Sequence, residues 1–356
     1  MKHIVLSPAE MFLYNLAGQD DFRFLVLKTV LGYLLLRAQN PTTTKAVFFL
    51  DSNINELGVV NGGTGKSLLL LYLSYMRSLC QISGKDFNST LRFIYDRVTE
   101  FTSIIGFNDM KSNIDFEHFF GRSTDGQLIE RKYKQSIFIP YIYSPKLAFT
   151  SNYYPKAPSG NSTDRRLYVY EVSAYYSKKL TPKDEFGHSF FYDWDEGQWL
   201  EFDRLMISCV QLYLQHGLLE APSIHLEQRK LISEVGTEIM EFLDEVLLTK
   251  TKLHKKELFA DFRKESTASS RYQLSHRGFT IKVKKYLEYK GIPYKETPSD
   301  TKVFIEVITE EAQKKQSLLT INDIKTDYRT VDTANKMTRL VNQIQKFFST
   351  DNTTKN

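Results

Sequence analysis

Apolar positions along the chain follow two rhythms. Residues 1–40 read as helical, with apolar side chains recurring every three or four positions on one buried face. Ser7-Pro8-Ala9-Glu10 supplies an N-cap, a proline at the first helical position and an acid in the first turn. Asp20 or Asp21 opens a second helix through Phe24, Leu25, Leu27, Val30 and Leu31, which Asn40-Pro41 ends. From Ala46 to about Val172 short β-branched and aromatic runs alternate with helical ones. The strand candidates are Ala46–Leu50, Thr102–Phe107, Ser136–Ile139, Leu147–Thr150 and Leu167–Val172. That alternation predicts an α/β core with a mostly parallel sheet.

Beyond the core, Pro182–Gly197 reads as a loop rich in aromatics and acids, followed by helices over Trp199–Gln215 and Ile224–Leu247. Residues 250–308 mix amphipathic helices with a last strand-like run, Lys302–Val307. From Glu310 the chain turns polar, and Ser349–Asn356 read as frayed. The expected organisation is an N-terminal helical segment (1–45), an α/β core (46–222), a basic module (223–310) and a polar tail (311–356).

Composition narrows the class. With 42% hydrophobic and 25% charged residues in 356, the chain has enough apolar surface to fold rather than stay disordered. The densest apolar stretch, Phe24–Leu36, is interrupted by Lys28 and falls short of the roughly 18 residues a membrane span needs. No leader pattern opens the chain, so a cytoplasmic protein is expected. Cys80 and Cys209 are the only cysteines, which excludes a disulfide framework and a four-cysteine zinc site. The net charge of +5 is unevenly spread: Lys250–Asp300 holds 13 basic against 6 acidic residues, leaving the remainder at −2. Such a segment suits a phosphate backbone or, equally, a solvated helical face.

The most informative stretch is Gly58-Val-Val-Asn-Gly-Gly-Thr-Gly-Lys-Ser67, ahead of the helical run Leu68–Met76. Glycines let backbone N–H groups turn toward a triphosphate, and the following helix adds its positive end. Asn61, Gly62, Gly63, Thr64, Gly65, Lys66 and Ser67 are the expected ATP-binding residues; Lys66 reaches the β- and γ-phosphates and Ser67 holds Mg²⁺. Val60 stands where the motif has its first glycine, and Asp51–Gly58 intervenes between strand and loop.

An ATPase of this kind needs an acid at the end of a neighbouring strand. Ser103–Asp109 is an apolar run ending in Asn108-Asp109, which makes Asp109 the expected catalytic and Mg²⁺-binding acid; Asn108 occupies the place of a first acid without its charge. Further on, Phe149-Thr-Ser-Asn-Tyr153 is a strand ending in amides and hydroxyls. Asn152 there can hydrogen-bond a γ-phosphate or the attacking water. Asp164-Arg165-Arg166 offers guanidinium groups of the kind that stabilise a transferring phosphoryl group from a neighbouring subunit.

In order and spacing, GGTGKS, Asn108-Asp109, Gly126–Lys134, Phe149–Tyr153 and Asp164-Arg-Arg166 together resemble a superfamily 3 helicase, most like the helicase part of phage and mobile-element primase-helicases. The likeness runs from about residue 20 to 218. It implies an AAA+-like α/β core that assembles as a hexameric ring and moves on single-stranded or forked DNA. By it Lys66 and Ser67 bind ATP·Mg, Asp109 is the motif acid, Asn152 the sensor, and Arg165 or Arg166 the trans-acting arginine. It also places Lys132 and Lys134 on a β-hairpin facing DNA. Only about 45 residues precede the first strand, so priming is expected from a separate primase. Helicases of this type often end in a winged-helix-like module, which Lys255–Phe262, Tyr272–Tyr289 and Lys302–Val307 fit; Arg271, Arg277, Lys282, Lys284 and Lys285 are then its phosphate contacts. An ATP-gated DNA-binding or loading protein is the rival reading, motivated by Asn108. A small-molecule kinase is a weaker third, since it leaves the arginine pair and the basic module unexplained.

Overall fold

The computed structural model describes residues 6–52, 63–112, 114–157, 160–267, 274–299 and 302–307. The chain divides into two compact units, Met1–Arg229 and Lys230–Asn356. Among the described residues no helix is long and apolar enough to cross a membrane.

The first unit opens with α1 (Pro8–Leu16) and α2 (Asp21–Leu35). Both start where the capping chemistry puts them: the Ser7 hydroxyl accepts from the Glu10 N–H at 3.3 Å, and the Asp20 carboxylate from the Arg23 N–H at 2.7 Å. Next come β1 (Ala46–Asp51), α3 (Lys66–Met76), β2 (Leu79–Ser83), β3 (Ile104–Met110), α4 (Phe120–Thr124), β4 (Gln127–Arg131), β5 (Lys134–Ile139), β6 (Lys146–Ser151), α5 (Asn161–Asp164), β7 (Leu167–Val172), α6 (Pro182–Phe186) and α7 (Glu196–His216). Five strands form one parallel sheet in the order β2-β3-β6-β1-β7, and β4 pairs with β5 as a separate antiparallel hairpin.

Alternation along β1 builds both cores. Val47 and Phe49 enter the cluster that includes α1, α2 and α7, whereas Ala46, Phe48 and Leu50 enter the cluster on the other face. There Phe149 stacks between Phe48 and Phe107, with ring centroids 4.2 and 4.6 Å away. A strand covered on both faces reads as an unbroken apolar run, as β1 does.

All five strand candidates are present. β2 and β4 lack such runs and were not among them. The helix expected over Ile224–Leu247 is broken: α8 (Leu226–Val235) and α9 (Thr237–Thr249) meet at Gly236, whose φ of 94° no helix accommodates. The second unit continues with β8 (Lys252–His254), α10 (Lys255–Glu265), α11 (His276–Tyr289), β9 (Tyr294–Ser299) and β10 (Lys302–Val307). Its three strands form an antiparallel sheet in the order β8-β10-β9, and Leu243, Phe262, Phe279, Leu287 and Ile305 share its core.

Candidate functional site

The parallel sheet delivers three strand ends to one edge: Asp51 from β1, Asn108 from β3, and Ser151-Asn152 from β6, which lies between the other two. The N-terminus of α3 faces that edge. Gly63 and Gly65 both have positive φ, 101° and 90°. At Gly65 a side chain is doubly disfavoured, because an added Cβ would sit 3.1 Å from the Phe12 ring and 3.2 Å from Leu16. The loop can therefore lie tight on α1 and turn its N–H groups outward. Asn61 and Gly62 lie outside the described residues.

Lys66, the first residue of α3, is only 7% exposed. Its ammonium forms a short ion pair with the Asp51 carboxylate and donates to Asn152 Oδ1 at 2.8 Å and Thr64 Oγ1 at 3.2 Å. The Thr64 hydroxyl in turn donates to Asp51 Oδ1 at 2.5 Å. Burial lowers the Lys66 pKa, and the charges of Asp51 and then Asp109 oppose that shift. Beside this group the Ser67 hydroxyl donates to Asn108 Oδ1 at 2.9 Å, which also accepts from Thr150 Oγ1 at 2.9 Å. A residue that sequence reasoning missed completes the cluster: Arg229, at the start of α8, donates through Nη1 to the Asn152 carbonyl at 2.8 Å. Burial lowers its pKa while Glu171 and Asp51 raise it. No motif marks Arg229, whereas Asp51 carried a signal, a charge closing an otherwise apolar strand.

The structure thus brings Lys66, Ser67 and Asn152 together, with the Asp109 carboxylate close enough for its charge to act on Lys66 but paired with Lys85. Asp109 has a φ of 58°, its N–H is held by Thr150 Oγ1 at 2.8 Å, and its carboxylate pairs with Lys85 at 2.7 Å. This pair borders an open cleft of about 450 Å³ that Gln81, Ser83, Arg97 and Asn108 also line. The side chain in contact with Ser67 is Asn108, not Asp109. Donor chemistry suits a nucleoside triphosphate with a hard divalent cation: glycine N–H groups and an ammonium for phosphate oxygens, and hydroxyl and amide oxygens for the metal, with one carboxylate adjacent.

The two arginines part company. Arg166 is 9% exposed, donates to the Ser162 carbonyl at 2.9 Å and lies over the Phe120 ring at 4.9 Å. Arg165, at the C-terminal end of α5, is exposed. Lys132 and Lys134 flank the tip of the β4–β5 hairpin, where Tyr133 is 94% exposed and the Lys132 ammonium lies 5.3 Å from its ring. Leu128 and Phe138, directly paired across the hairpin, are exposed as well.

In the second unit Arg277 and Lys284 line a cleft of about 450 Å³ with His254, Lys255, Lys256 and His276. Lys284 and Lys255 both pair there with Glu296. Lys282 and Lys285 lie against α8 instead. The Lys282 ammonium donates to the carbonyls of Glu234 and Val235, at 2.5 and 2.9 Å, and Lys285 pairs with the Glu234 carboxylate at 2.6 Å. Both cations thereby sit at the C-terminus of α8, where unpaired carbonyls and the helix dipole hold them. Arg271 lies outside the described residues.

No protein-family model matches the chain, and no curated protein matches it. Among solved structures, the A-form apo structure of the NrS-1 C-terminal region is similar at 14% identity and a TM-score of 0.40, over 84% of this chain and 74% of that one. The Aeropyrum pernix ORC2 protein in its ADPNP–ADP complexes is similar at 9% identity and a TM-score of 0.22, over 88% and 94%. Similarities this low assign no family, and the functional reading rests on the site itself.

Proposed function

We propose that the chain is an ATP-dependent DNA helicase of superfamily 3 type, an AAA+-like motor working as a hexameric ring in phage or mobile-element replication. One arrangement carries this reading. Lys66 stands between Asp51 and Asn152, and Ser67 faces Asn108, where a glycine loop and a helix N-terminus meet the C-terminal edge of a parallel sheet.

Phosphoryl transfer asks the protein for positioning and charge stabilisation more than for covalent chemistry. Lys66 meets the β- and γ-phosphates, Asn152 is within one hydrogen bond of Lys66 and orients the γ-phosphate or water, and Arg229 adds a second cation from the same chain. Ser67, Asn108 and Asp109 would hold Mg²⁺, which would supply neutralisation of the phosphate charge. Arg165, exposed where Arg166 is enclosed, is the guanidinium that reaches a neighbouring subunit's nucleotide. The hairpin offers Lys132 and Lys134 to a DNA backbone with Tyr133 available for stacking. The second unit acts as a winged-helix-like DNA module through Arg277 and Lys284, and a separate primase supplies primers. ATPase activity measured with and without single-stranded DNA, with assembly mass in the same buffer, tests the reading. DNA-stimulated turnover by a multi-subunit assembly is expected, and Lys66→Ala abolishes it; wild-type turnover in that variant overturns the site.

A second reading, an ATP-gated DNA-binding or loading protein with little unwinding, is favoured by one observation. The group on Ser67 is a neutral amide, and the neighbouring carboxylate is turned to Lys85. Strand-displacement assays separate the two: ATP-dependent DNA binding without displacement supports the loader.

A further inference from the structure

The phosphate-loop lysine already has an anion. Asp51 closes β1 on the side of the sheet edge where the triphosphate binds, with a side chain only 8% exposed beside a lysine side chain 9% exposed. The buried apolar run Ala46–Leu50 ends in Asp51, whose carboxylate meets the Lys66 ammonium. A buried carboxylate is costly unless paired, and the partners of this one are Lys66 and the Thr64 hydroxyl. Both belong to the loop that cradles phosphates, so the carboxylate and a phosphate would compete for the same ammonium.

We infer that Asp51 is a positioning residue that holds Lys66 in the nucleotide-free protein, yields it when a triphosphate binds, and reclaims it after hydrolysis. The inference rests on the ATP-site reading and deepens it. In the free protein the pair keeps the ammonium charged and aimed at the sheet edge. On binding, Lys66 exchanges one anion for another, so part of the phosphate affinity is spent on breaking the pair. The apparent dissociation constant is the intrinsic one divided by the fraction of molecules in which Lys66 is free. After γ-phosphate release the balance tips back, because the diphosphate presents less charge to Lys66, and recapture by Asp51 loosens the product. Two facts make the residue testable alone. The Thr64 hydroxyl bonds Oδ1, an acceptor that asparagine retains; Oδ2 faces Lys66, and asparagine puts an uncharged amide there.

Equilibrium titration of the full chain with fluorescent ATP, ADP and AMP, for the wild type, Asp51→Asn and Asp51→Glu, tests this. Asp51→Asn is expected to bind ATP and ADP about three- to tenfold more tightly and AMP, which has no β-phosphate, unchanged. In steady state its KM for ATP falls while kcat does not rise, because the product leaves more slowly. Asp51→Glu restores wild-type affinities. Unchanged or weaker ATP binding by Asp51→Asn, in a variant whose thermal unfolding matches the wild type, overturns the inference. An equal gain for AMP overturns it too, since Lys66 is then not the group released. Absence of ATP binding by the wild type itself instead removes the ATP-site reading.

Discussion

At the scale of single residues, the Ser67 partner is the decisive oddity. Asn108 Oδ1 accepts from both the Ser67 and the Thr150 hydroxyls, and aspartate at this position keeps both bonds while adding the missing charge. Asn108→Asp is therefore expected to raise ATP turnover about tenfold, equivalent to about 1.4 kcal/mol of barrier. A steady-state ATPase rate at or below wild type sinks the idea that this amide limits hydrolysis. A second residue acts on stability. Lys146, the first residue of β6, is 3% exposed; its ammonium donates to the Tyr33 carbonyl near the C-terminus of α2 and lies 3.8 Å from the Tyr33 ring. Burial pulls its pKa down to about 7 from 10.5. The unfolded chain thus binds the proton more tightly than the folded one, and between about pH 7 and 10 the stability contributed by this site rises with pH. Below that window the full penalty of the buried charge is present. Lys146→Met is accordingly expected to be more stable than wild type at pH 6, with its advantage shrinking by about 1.4 kcal/mol per pH unit above 7. Parallel denaturation-versus-pH curves for the two proteins count against this.

At the scale of elements, helix breaks and edge strands set what could be read beforehand. Gly236 separates α8 from α9, and nothing lies within 4 Å of a Cβ added there, so Gly236→Ala meets no clash and feels only its φ of 94°. A loss of about 1 kcal/mol in denaturant unfolding is expected; a gain instead implies that α8 and α9 fuse into one helix. Apolar periodicity could not announce this break, since Leu226–Val235 and Thr237–Thr249 continue one pattern across it. The central strands were legible because burial on both faces demands unbroken runs such as Ala46–Leu50. β2, Leu-Cys-Gln-Ile-Ser at the sheet edge, is half exposed and carries no such run. Likewise Lys66, Ser67 and Asn152 were legible from local motifs, while Arg229 reaches Asn152 from 77 residues away and no spacing rule connects them. The hairpin was expected by resemblance; its two-residue tip, Lys132-Tyr133, adds an aromatic side chain. Replacing Lys132, Tyr133 and Lys134 with alanine together should lower DNA-stimulated turnover at least about tenfold, with a matching loss in single-stranded DNA affinity that shrinks as salt rises. Unaltered stimulation removes the hairpin from the DNA path.

At the scale of the whole molecule, the proposed ring turns on which of two neighbouring arginines is available to a second subunit. Arg166 is committed to the Ser162 carbonyl and the Phe120 ring, so its loss should cost stability. Arg165 is exposed beside it and free to serve a nucleotide across a subunit boundary. In a ring with head-to-tail contacts, each interface then pairs one subunit's Lys66 with its neighbour's Arg165. Lys66→Ala and Arg165→Ala subunits are each expected to be inactive as pure assemblies, for different reasons. Mixed in equal amounts and allowed to exchange, they regenerate an intact site wherever an Arg165→Ala subunit receives its arginine from a Lys66→Ala neighbour. Random mixing makes that roughly one interface in four, so activity should recover to about a quarter of wild type. Arg166→Ala, tested in parallel, should instead lower the unfolding temperature. If the mixture stays inactive although mass measurements show that subunits have exchanged, Arg165 does not act across the boundary. Activity in pure Arg165→Ala assemblies would show that Arg229, supplied within the chain, suffices for the phosphoryl transfer.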